Sequence, residues 1–158
     1  MKKLFISTIA LSFLFSCSST KNISMGNMIA TMQVDKPILG VCDNSKVIAI
    51  LPFPANGQIK AQAPLTDEEI TKKLNDEVDF LKNKTDYNDK GMVNLIVNCE
   101  GKMVRYQIDN KTQSPELDQQ IVNVFSQMID WKAGTIHGKF VDTSVLYSFE
   151  IKNGVISL

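Results

Sequence analysis

Two alternating apolar runs joined by a short turn constrain the fold of this chain more than any other feature. The stretch MVNLIVNCEGKMVRYQID, residues 92–109, alternates apolar with polar side chains on both sides of Glu100-Gly101, as the two strands of a β-hairpin do. The apolar positions are Val93, Leu95, Val97 and Cys99 on the first strand and Val104, Tyr106 and Ile108 on the second. The sequence therefore predicts a hairpin in which each strand presents one apolar face.

A helix is predicted before this hairpin. Thr66 is followed by Glu69 at the spacing of a capping box, and Asp67 and Glu68 suit the positive end of the helix dipole. Apolar residues then recur at helical spacing, at Ile70, Leu74, Val78 and Leu81. We expect this helix to end near Asn83.

A second helix and a last strand follow the hairpin. Ser114 is a predicted N-cap, and Pro115 suits the first helical position because an N–H there would have no partner within the helix. The apolar stripe of this helix is Leu117, Ile121, Val124, Phe125 and Met128. The last strand alternates Val141, Val145, Tyr147, Phe149 and Ile151 with polar or smaller residues.

A short strand is also predicted ahead of the first helix. Lys46 to Phe53 is a β-branched run that ends at Pro52 and Pro54, since proline cannot donate into a β-ladder. The turn signal at residues 56–57 favours a hairpin with residues 58–63. The pattern predicts an α+β fold: a small antiparallel sheet with two helices, in the order helix, strand, strand, helix, strand, preceded by a short N-terminal strand or hairpin.

The amino terminus predicts export and a lipid anchor. A basic start, MKK, precedes an apolar run over residues 4–15 that is typical of a secretory signal and too short for a comfortable membrane span. The next motif, LFSC at residues 14–17, has the pattern of a bacterial lipobox. We predict a lipoprotein signal peptide over residues 1–16 and acylation of Cys17. The alternative is an ordinary signal peptide in which this cysteine is incidental.

Three parts are predicted after the signal peptide. Residues 17–37 are small and polar with scattered methionines and are expected to form a flexible tether. Residues 38–65 form the N-terminal strand or hairpin extension, and residues 66–158 form the main domain. Two acyl chains hold a protein stably at a membrane, so we expect the chain to stay anchored after export. We expect it in the cell envelope of a Gram-negative bacterium, facing the periplasm, with the outer membrane favoured.

The charge balance argues against nucleic acid as a partner. The chain has 17 Lys and Arg against 17 Asp and Glu, and removal of the signal peptide would leave a slight acidic excess. A near-neutral chain without a basic run lacks the electrostatic footprint of a nucleic-acid-binding protein.

Two cysteines remain if Cys17 is acylated. Cys42 and Cys99 form an even pair, and an oxidising envelope compartment permits a disulfide between them. The alternative is a pair of buried unbonded thiols; the sequence leaves both open because it does not give the distance between the two Cα atoms. No metal site is expected, since the cysteines and the one distant His lack the paired C-x-x-C spacing of zinc sites.

The only Trp and the only His of the chain lie together in the segment DWKAGTIHGKFV. We expect Trp131 to cover the core, Gly134 and Gly138 to shape the crossover into the last strand, and His137 to be an exposed loop residue. Local spacing fixes no nucleophile or carboxylate beside His137, and the sequence has no G-x-S-x-G, H-E-x-x-H or phosphate-binding glycine loop. We therefore predict no catalytic residues, no cofactor and no enzymatic activity; an enzyme that uses His137 is the alternative.

Glycines and turn residues in the second half of the chain have a recognisable spacing. Gly91 opens a strand of the form G-x-V-x-L-x-V, Gly101 makes the hairpin turn, and Leu117 and Asp118 complete an S-x-x-L-D helix start. Four further residues, Trp131, Gly134, Gly138 and Val141, have the spacing W-x-P-G-x-x-x-G-x-x-V, with Ala133 in place of the proline. Over roughly residues 68–152 the chain therefore resembles the carboxy-terminal domain of the TonB energy-transducer family.

The resemblance implies a non-enzymatic module that binds another envelope protein. In that family the last strand presents an edge to which an extended segment of an outer-membrane transporter adds as a further strand. The matching edge here would be Asp142 to Ile151, with the outward set Asp142, Ser144, Leu146, Ser148 and Glu150. The alternative is an edge that is blunted by its charges or covered by the Lys46–Phe53 strand.

A second hypothesis comes from a different class of protein. A structural or scaffold envelope lipoprotein would self-associate, for example as a homodimer, without a transporter partner. A lipid-anchored chain also lacks the membrane helix and Pro-rich spacer of the transducers, so the resemblance implies binding rather than energy transduction.

Overall fold

The computed structural model describes residues 30–32, 34, 36–49 and 57–158. The predicted signal peptide, Cys17, most of the predicted tether and residues 50–53 of the predicted first strand lie outside the described residues. Among the described residues, no helix is long and apolar enough to cross a membrane.

The described elements are two α-helices, one short 3₁₀ helix and nine strands. The helices are α1 (Asp67–Glu77) and α2 (Pro115–Ser126), and the 3₁₀ helix spans Asp79–Leu81. The strands are β1 (Ala30–Thr31), β2 (Ile48–Ala49), β3 (Gln58–Ile59), β4 (Asp89–Val97), β5 (Met103–Asn110), β6 (Gly134–Ile136), β7 (Lys139–Val141), β8 (Thr143–Lys152) and β9 (Val155–Ser157). This content makes the architecture α+β, as predicted.

The main sheet has the order β1-β2-β8-β4-β5, and β9 also pairs with β8. β4 pairs antiparallel with β5 on one side and with nearly the full length of β8 on the other. β2 pairs with β8 in parallel, at Ile48↔Thr143 and Ala49↔Ser144. A second sheet has the order β3-β6-β7.

Both helices pack on one face of the main sheet. The predicted capping box of α1 is present: the Thr66 N–H donates to Glu69 Oε2 over 2.8 Å, and the Glu69 N–H donates to Thr66 Oγ1 over 3.2 Å. The predicted stripes of both helices are buried with the inner side chains of β4 and β8 in one core. Ser114 and Pro115 begin α2 as predicted.

α1 ends at Glu77, so the prediction that it runs to Asn83 is wrong. Val78 adopts an extended conformation, and the Phe80 N–H donates to Gln120 Oε1 of α2 over 2.8 Å instead of continuing the helix. The 3₁₀ turn still buries Leu81. A contact from the second helix therefore ends the first without disturbing its apolar stripe.

The hairpin β4–β5 forms as predicted, but its second strand is irregular. The register passes from Ile96↔Arg105 to Val97↔Met103 and from Val93↔Ile108 to Met92↔Asn110. Val104 and Asp109 are therefore the extra residues of two β-bulges, and a bulge reverses the side to which a side chain points. For this reason Val104 packs in a different cluster from Ile108, and its predicted place on the same face as Tyr106 and Ile108 is wrong.

A second, smaller cluster covers part of the opposite face of the sheet. It consists of the buried residues Ile38, Val47 and Ile96, with Met32, Val34, Val41 and Val104 packed against them. Most of these side chains come from the segment that precedes β2. Of the residues predicted to form the tether, Ala30 and Thr31 form β1, and Met32 and Val34 are half-buried against this cluster.

Within the described residues β3 pairs with β6, at Gln58↔Ile136 and Ile59↔Thr135. The predicted hairpin with the strand before it stays a prediction, because residues 50–56 lie outside the described residues. One prediction about a connection is wrong. Residues 134–141 form the antiparallel hairpin β6–β7 rather than a simple crossover, and the last long strand begins at Thr143. The short strand β9 was not predicted.

Candidate functional site

The last long strand, β8, is paired on both sides at its two ends. Near its start, Ser144 pairs with Ile96 on one side and with Ala49 on the other. At the far end, Glu150 pairs with both Lys90 and Ser157. Ser144, Leu146, Ser148 and Glu150 do alternate with the core-facing residues, but they line the second face of the sheet. Asp142 is buried, and Ser144 and Glu150 are paired on both sides, so the predicted edge is wrong for these three residues. Leu146 and Ser148 pair with β4 alone within the described residues, and for them a binding edge stays a prediction.

Asp142 is only 2 % exposed and lies between β7 and β8. Its carboxylate accepts three backbone N–H groups, from Cys42 over 2.9 Å, Asp43 over 2.7 Å and Cys99 over 3.0 Å. Hydrogen bonds to the charged form allow a carboxylate to be buried without an ion pair. Its partners lie 100, 99 and 43 residues away along the chain, so its neighbours in sequence gave no sign of this role.

Cys42 and Cys99 form a disulfide in the structure, with Cα atoms 6.1 Å apart. The bond and the Asp142 carboxylate hold the same two segments together, because the amides that Asp142 binds belong to both cysteines. The sulfurs and a carboxylate oxygen of Asp142 lie within 4.8 Å of one another. Since the sulfurs are bonded to each other, this cluster offers no thiolate and its role is structural.

The segment around Trp131 and His137 joins the core to the hairpin β6–β7. The Trp131 indole is buried, packs against Tyr147 and donates from Nε1 to the Met128 carbonyl over 3.1 Å. His137 is exposed at the turn between β6 and β7, where it and Gly138 have φ values of 49° and 77°. The left-handed conformation explains the glycine at position 138.

The other residues of the predicted motif take structural positions. Gly91 is buried in β4, and Gly101 occupies the β4–β5 turn with φ 79°, where a Cβ would collide with the Trp131 carbonyl. Leu117 is buried in the core, and Asp118 accepts from the Thr112 N–H over 3.0 Å and the Thr112 hydroxyl over 2.8 Å. Gly134 and Val141 pair with each other across β6 and β7.

Two of the edge strands of the main sheet, β9 and β1, offer little room for a further strand. The β9 edge is covered by α1, because the Asn75 side chain donates to the Ile156 carbonyl over 2.8 Å and accepts from the Ile156 N–H over 2.9 Å. β1 is only two residues long. Neither strand offers an extended row of backbone groups.

β5 is different. Within the described part of the chain it pairs with β4 alone, and it stands at the end of the strand order. Arg105 to Ile108 keep a regular register between the two bulges. The outward backbone N–H and C=O groups of these four residues therefore form a regular open edge at the end of the main sheet, within the residues described.

Exposed apolar side chains lie on both sides of this edge. On the helix side, Tyr106 is 47 % and Ile129 is 71 % exposed, and both line a groove of about 440 Å³ between the start of β5 and the end of α2. On the other side, Leu39 is 90 % exposed beside a larger groove of about 880 Å³ that also includes Arg105.

The charges near the β5 edge are partly fixed. Arg105 donates from Nε and Nη2 to Gln107 Oε1 over 3.0 and 2.6 Å, which orients its guanidinium along the strand. At the turn before β5, the Lys102 ammonium donates to Glu100 over 2.8 Å. This hydrogen bond lowers the pKa of Glu100 and raises the pKa of Lys102.

Sequence reasoning missed this edge because a terminal place in a sheet depends on strand order. The alternation of β5 predicted a half-buried strand and gave no information on which side would remain unpaired. A comparison of the chain with protein-family models, curated proteins and solved structures finds no match.

Proposed function

We propose that this protein is a non-enzymatic, lipid-anchored protein-binding module of the cell envelope. Cys17 would carry the lipid, and the domain would face the periplasm from a membrane, with the outer membrane favoured. The partner would contribute an extended segment that adds to the sheet as a strand beside β5. The resemblance to the TonB carboxy-terminal domain makes an outer-membrane transporter the first candidate partner.

The observation that carries this proposal is the free edge of β5. In strand addition, main-chain hydrogen bonds supply affinity and pockets for alternate side chains supply selectivity. The run Arg105–Ile108 offers the main-chain hydrogen-bonding groups. The apolar side chains on both sides of it, Tyr106, Ile129 and Leu39, offer contacts for alternate side chains of the partner. The elements α1, β4, β5, α2 and β8 follow one another along the chain, with β6 and β7 between α2 and β8, and this order supports the proposal, although the proposed edge is a different strand.

The two bulges define the size of the bound segment. An irregular ladder cannot continue a regular strand pairing, so a partner would pair with about four residues between Val104 and Asp109. Bulges at edges also prevent uncontrolled strand pairing. The site therefore favours a short segment whose alternate side chains are apolar.

Single proline substitutions at Tyr106 and Gln107 test the proposal. N–H groups of neighbouring strand residues point to opposite sides, so one of these two faces β4 and the other faces the open edge. Proline at the inward position should destabilise the domain by ~3 kcal/mol or more, and proline at the outward position should leave it folded. We expect the folded variant to lose the partner that the full chain captures from solubilised envelopes.

Tyr106→Ala and Gln107→Ala are the matched controls, because each removes the side chain and keeps the N–H. In the complex with the captured protein, the outward amides of residues 105–108 should exchange hydrogen more slowly than in the free chain. A partner that binds both proline variants as well as their alanine controls, without slowing this exchange, would exclude β5 as the binding edge.

The scaffold alternative is favoured by one feature of the same strand. Two copies could pair antiparallel over Arg105–Ile108, the regular run between the bulges, so that the main-chain groups of the same edge would hold a dimer together. Sedimentation of the full chain alone distinguishes the two functions. A concentration-dependent dimer that the folded proline variant no longer forms would favour the scaffold.

A further inference from the structure

The three-stranded sheet differs in charge from the chain as a whole. Residues 57–63 and 131–141, which contain β3, β6 and β7, include Lys60, Lys132 and Lys139 and no acidic residue. The whole chain balances 17 basic against 17 acidic residues. Among the ion pairs of the described residues, none involves these three lysines. The small sheet is thus a local concentration of positive charge.

Two large apolar side chains lie on the same sheet in exposed positions. Ile59 is 55 % and Phe140 is 67 % exposed. Both pair with Thr135, one on each side, so they lie on one face of the sheet. Together with Lys60 and Lys132 they line a groove of about 600 Å³. Neighbouring exposed apolar side chains are typical of a surface that binds.

Asp130, two residues before Lys132, is exposed and lines the neighbouring groove rather than this one. The other two nearby acidic groups are bound elsewhere. Glu100 lines the same groove but accepts from Lys102 over 2.8 Å. Asp142, which follows β7, is buried and bound to backbone amides. The tip of the hairpin is also unobstructed, since a Cβ placed on Gly138 would meet no atom within 4 Å.

We infer that this basic apolar patch, consisting of Ile59, Lys60, Lys132 and Phe140, docks on the surface of an anionic phospholipid membrane. Such a surface supplies phosphates for the lysines and an acyl boundary for the two apolar side chains, and membrane binding grows with both contributions. An acidic protein surface would match the lysines but would leave Ile59 and Phe140 in contact with water.

This inference does not depend on the proposed function. The patch shares no residue with the β5 edge, so either could fail without the other. If the chain is anchored at Cys17, the patch would fix the orientation of the domain on the membrane that the lipid has already selected. A lipid chain and a basic patch together form the usual pair of membrane-binding signals.

Tryptophan fluorescence can test the docking at a defined position of the full chain. In Phe140→Trp, the new indole would report contact with lipid. Trp131 is buried and also fluoresces, so the quenching of the variant is compared with that of the wild type, which contains Trp131 alone. With vesicles of equal parts phosphatidylglycerol and brominated phosphatidylcholine, we expect strong quenching of the new Trp. Vesicles of brominated phosphatidylcholine alone should quench it much less.

Val155→Trp is the control, because Val155 is an exposed apolar residue outside the patch. It should not be quenched, whereas insertion of the apolar amino terminus alone would affect both positions equally. Replacing Lys60 or Lys132 by Gln should weaken binding to the anionic vesicles about fivefold for each charge. Equal quenching at both positions, equal binding to neutral vesicles, or no effect of the lysine substitutions would each overturn the inference.

Discussion

Asp142 places a carboxylate in the interior of the protein, where three backbone N–H groups donate hydrogen bonds to it. In the sequence, this residue stands between two apolar stretches and alternates with the core residues of the last strand, which is why it was expected on an outer face. Its burial is explained by donors from two distant segments, at Cys42, Asp43 and Cys99. Hydrogen bonds to charged groups contribute ~1.5–3 kcal/mol each, more than neutral ones.

Asp142→Asn should therefore lower the free energy of unfolding by about 2 kcal/mol, measured by urea denaturation of the oxidised protein. The substitution removes the charge and turns one acceptor oxygen into an NH₂ group that faces a backbone N–H. Asp86→Asn is the matched control on an exposed loop and should stay within ~0.5 kcal/mol of the wild type. Equal stabilities of the two variants would contradict a structural role for the Asp142 charge.

At the scale of elements, the sequence predicted the features whose signals are local. The capping residues at Thr66 and Ser114 and the turn glycine Gly101 each act within a few residues, and both helices and the β4–β5 hairpin formed where they indicated. β3, β6 and β9 have only two or three residues each. A strand of that length is stabilised by its neighbours in the sheet, so its own sequence carries little information.

The candidate site was unpredictable for the same reason. Alternation identified β5 as a strand, but its bulges at Val104 and Asp109 and its terminal place in the sheet arise from pairing with β4 and from the position of β8. Exposed Ile129 and Leu39 become meaningful only beside this edge. A sequence pattern reports what each residue prefers, whereas the site depends on which strands become neighbours.

Asn75 of α1 covers the outer edge of β9. Its side chain satisfies both backbone groups of Ile156 in β9. Asn75→Ala should lower the free energy of unfolding by ~1–3 kcal/mol, because both groups would lose their partners. It should do so although alanine has the higher helix propensity.

Asn123→Ala provides the control for this prediction, since Asn123 lies on the exposed side of α2 and its amide contacts only Gln119 of the same helix. Urea denaturation should show little change or a slight stabilisation for this variant. If Asn75→Ala were equally harmless, β9 would not depend on α1 for its closure.

At the scale of the whole molecule, two apolar clusters of unequal size share one sheet. The larger contains both helices and the inner faces of β4 and β8, and the smaller has three buried residues, Ile38, Val47 and Ile96. The segment over the smaller cluster is joined to the sheet by two-residue strand pairings, by the Asp142 carboxylate and by the Cys42–Cys99 disulfide. The disulfide is the one covalent link in this set.

Reduction of the disulfide should therefore open this segment locally and leave the larger core folded. A disulfide contributes about 2–4 kcal/mol, so hydrogen exchange at the Met32 and Ile48 amides, which bond to Val47 and Asp142, should accelerate on the order of 100-fold. Amides of β4 and α2 should keep their protection. The double variant Cys42→Ser/Cys99→Ser should behave in the same way without reductant, whereas equal acceleration throughout β4 would mean that the two clusters unfold as one unit. In the oxidising compartment to which the chain is predicted to be exported, the disulfide would stay formed and would keep this segment on the sheet.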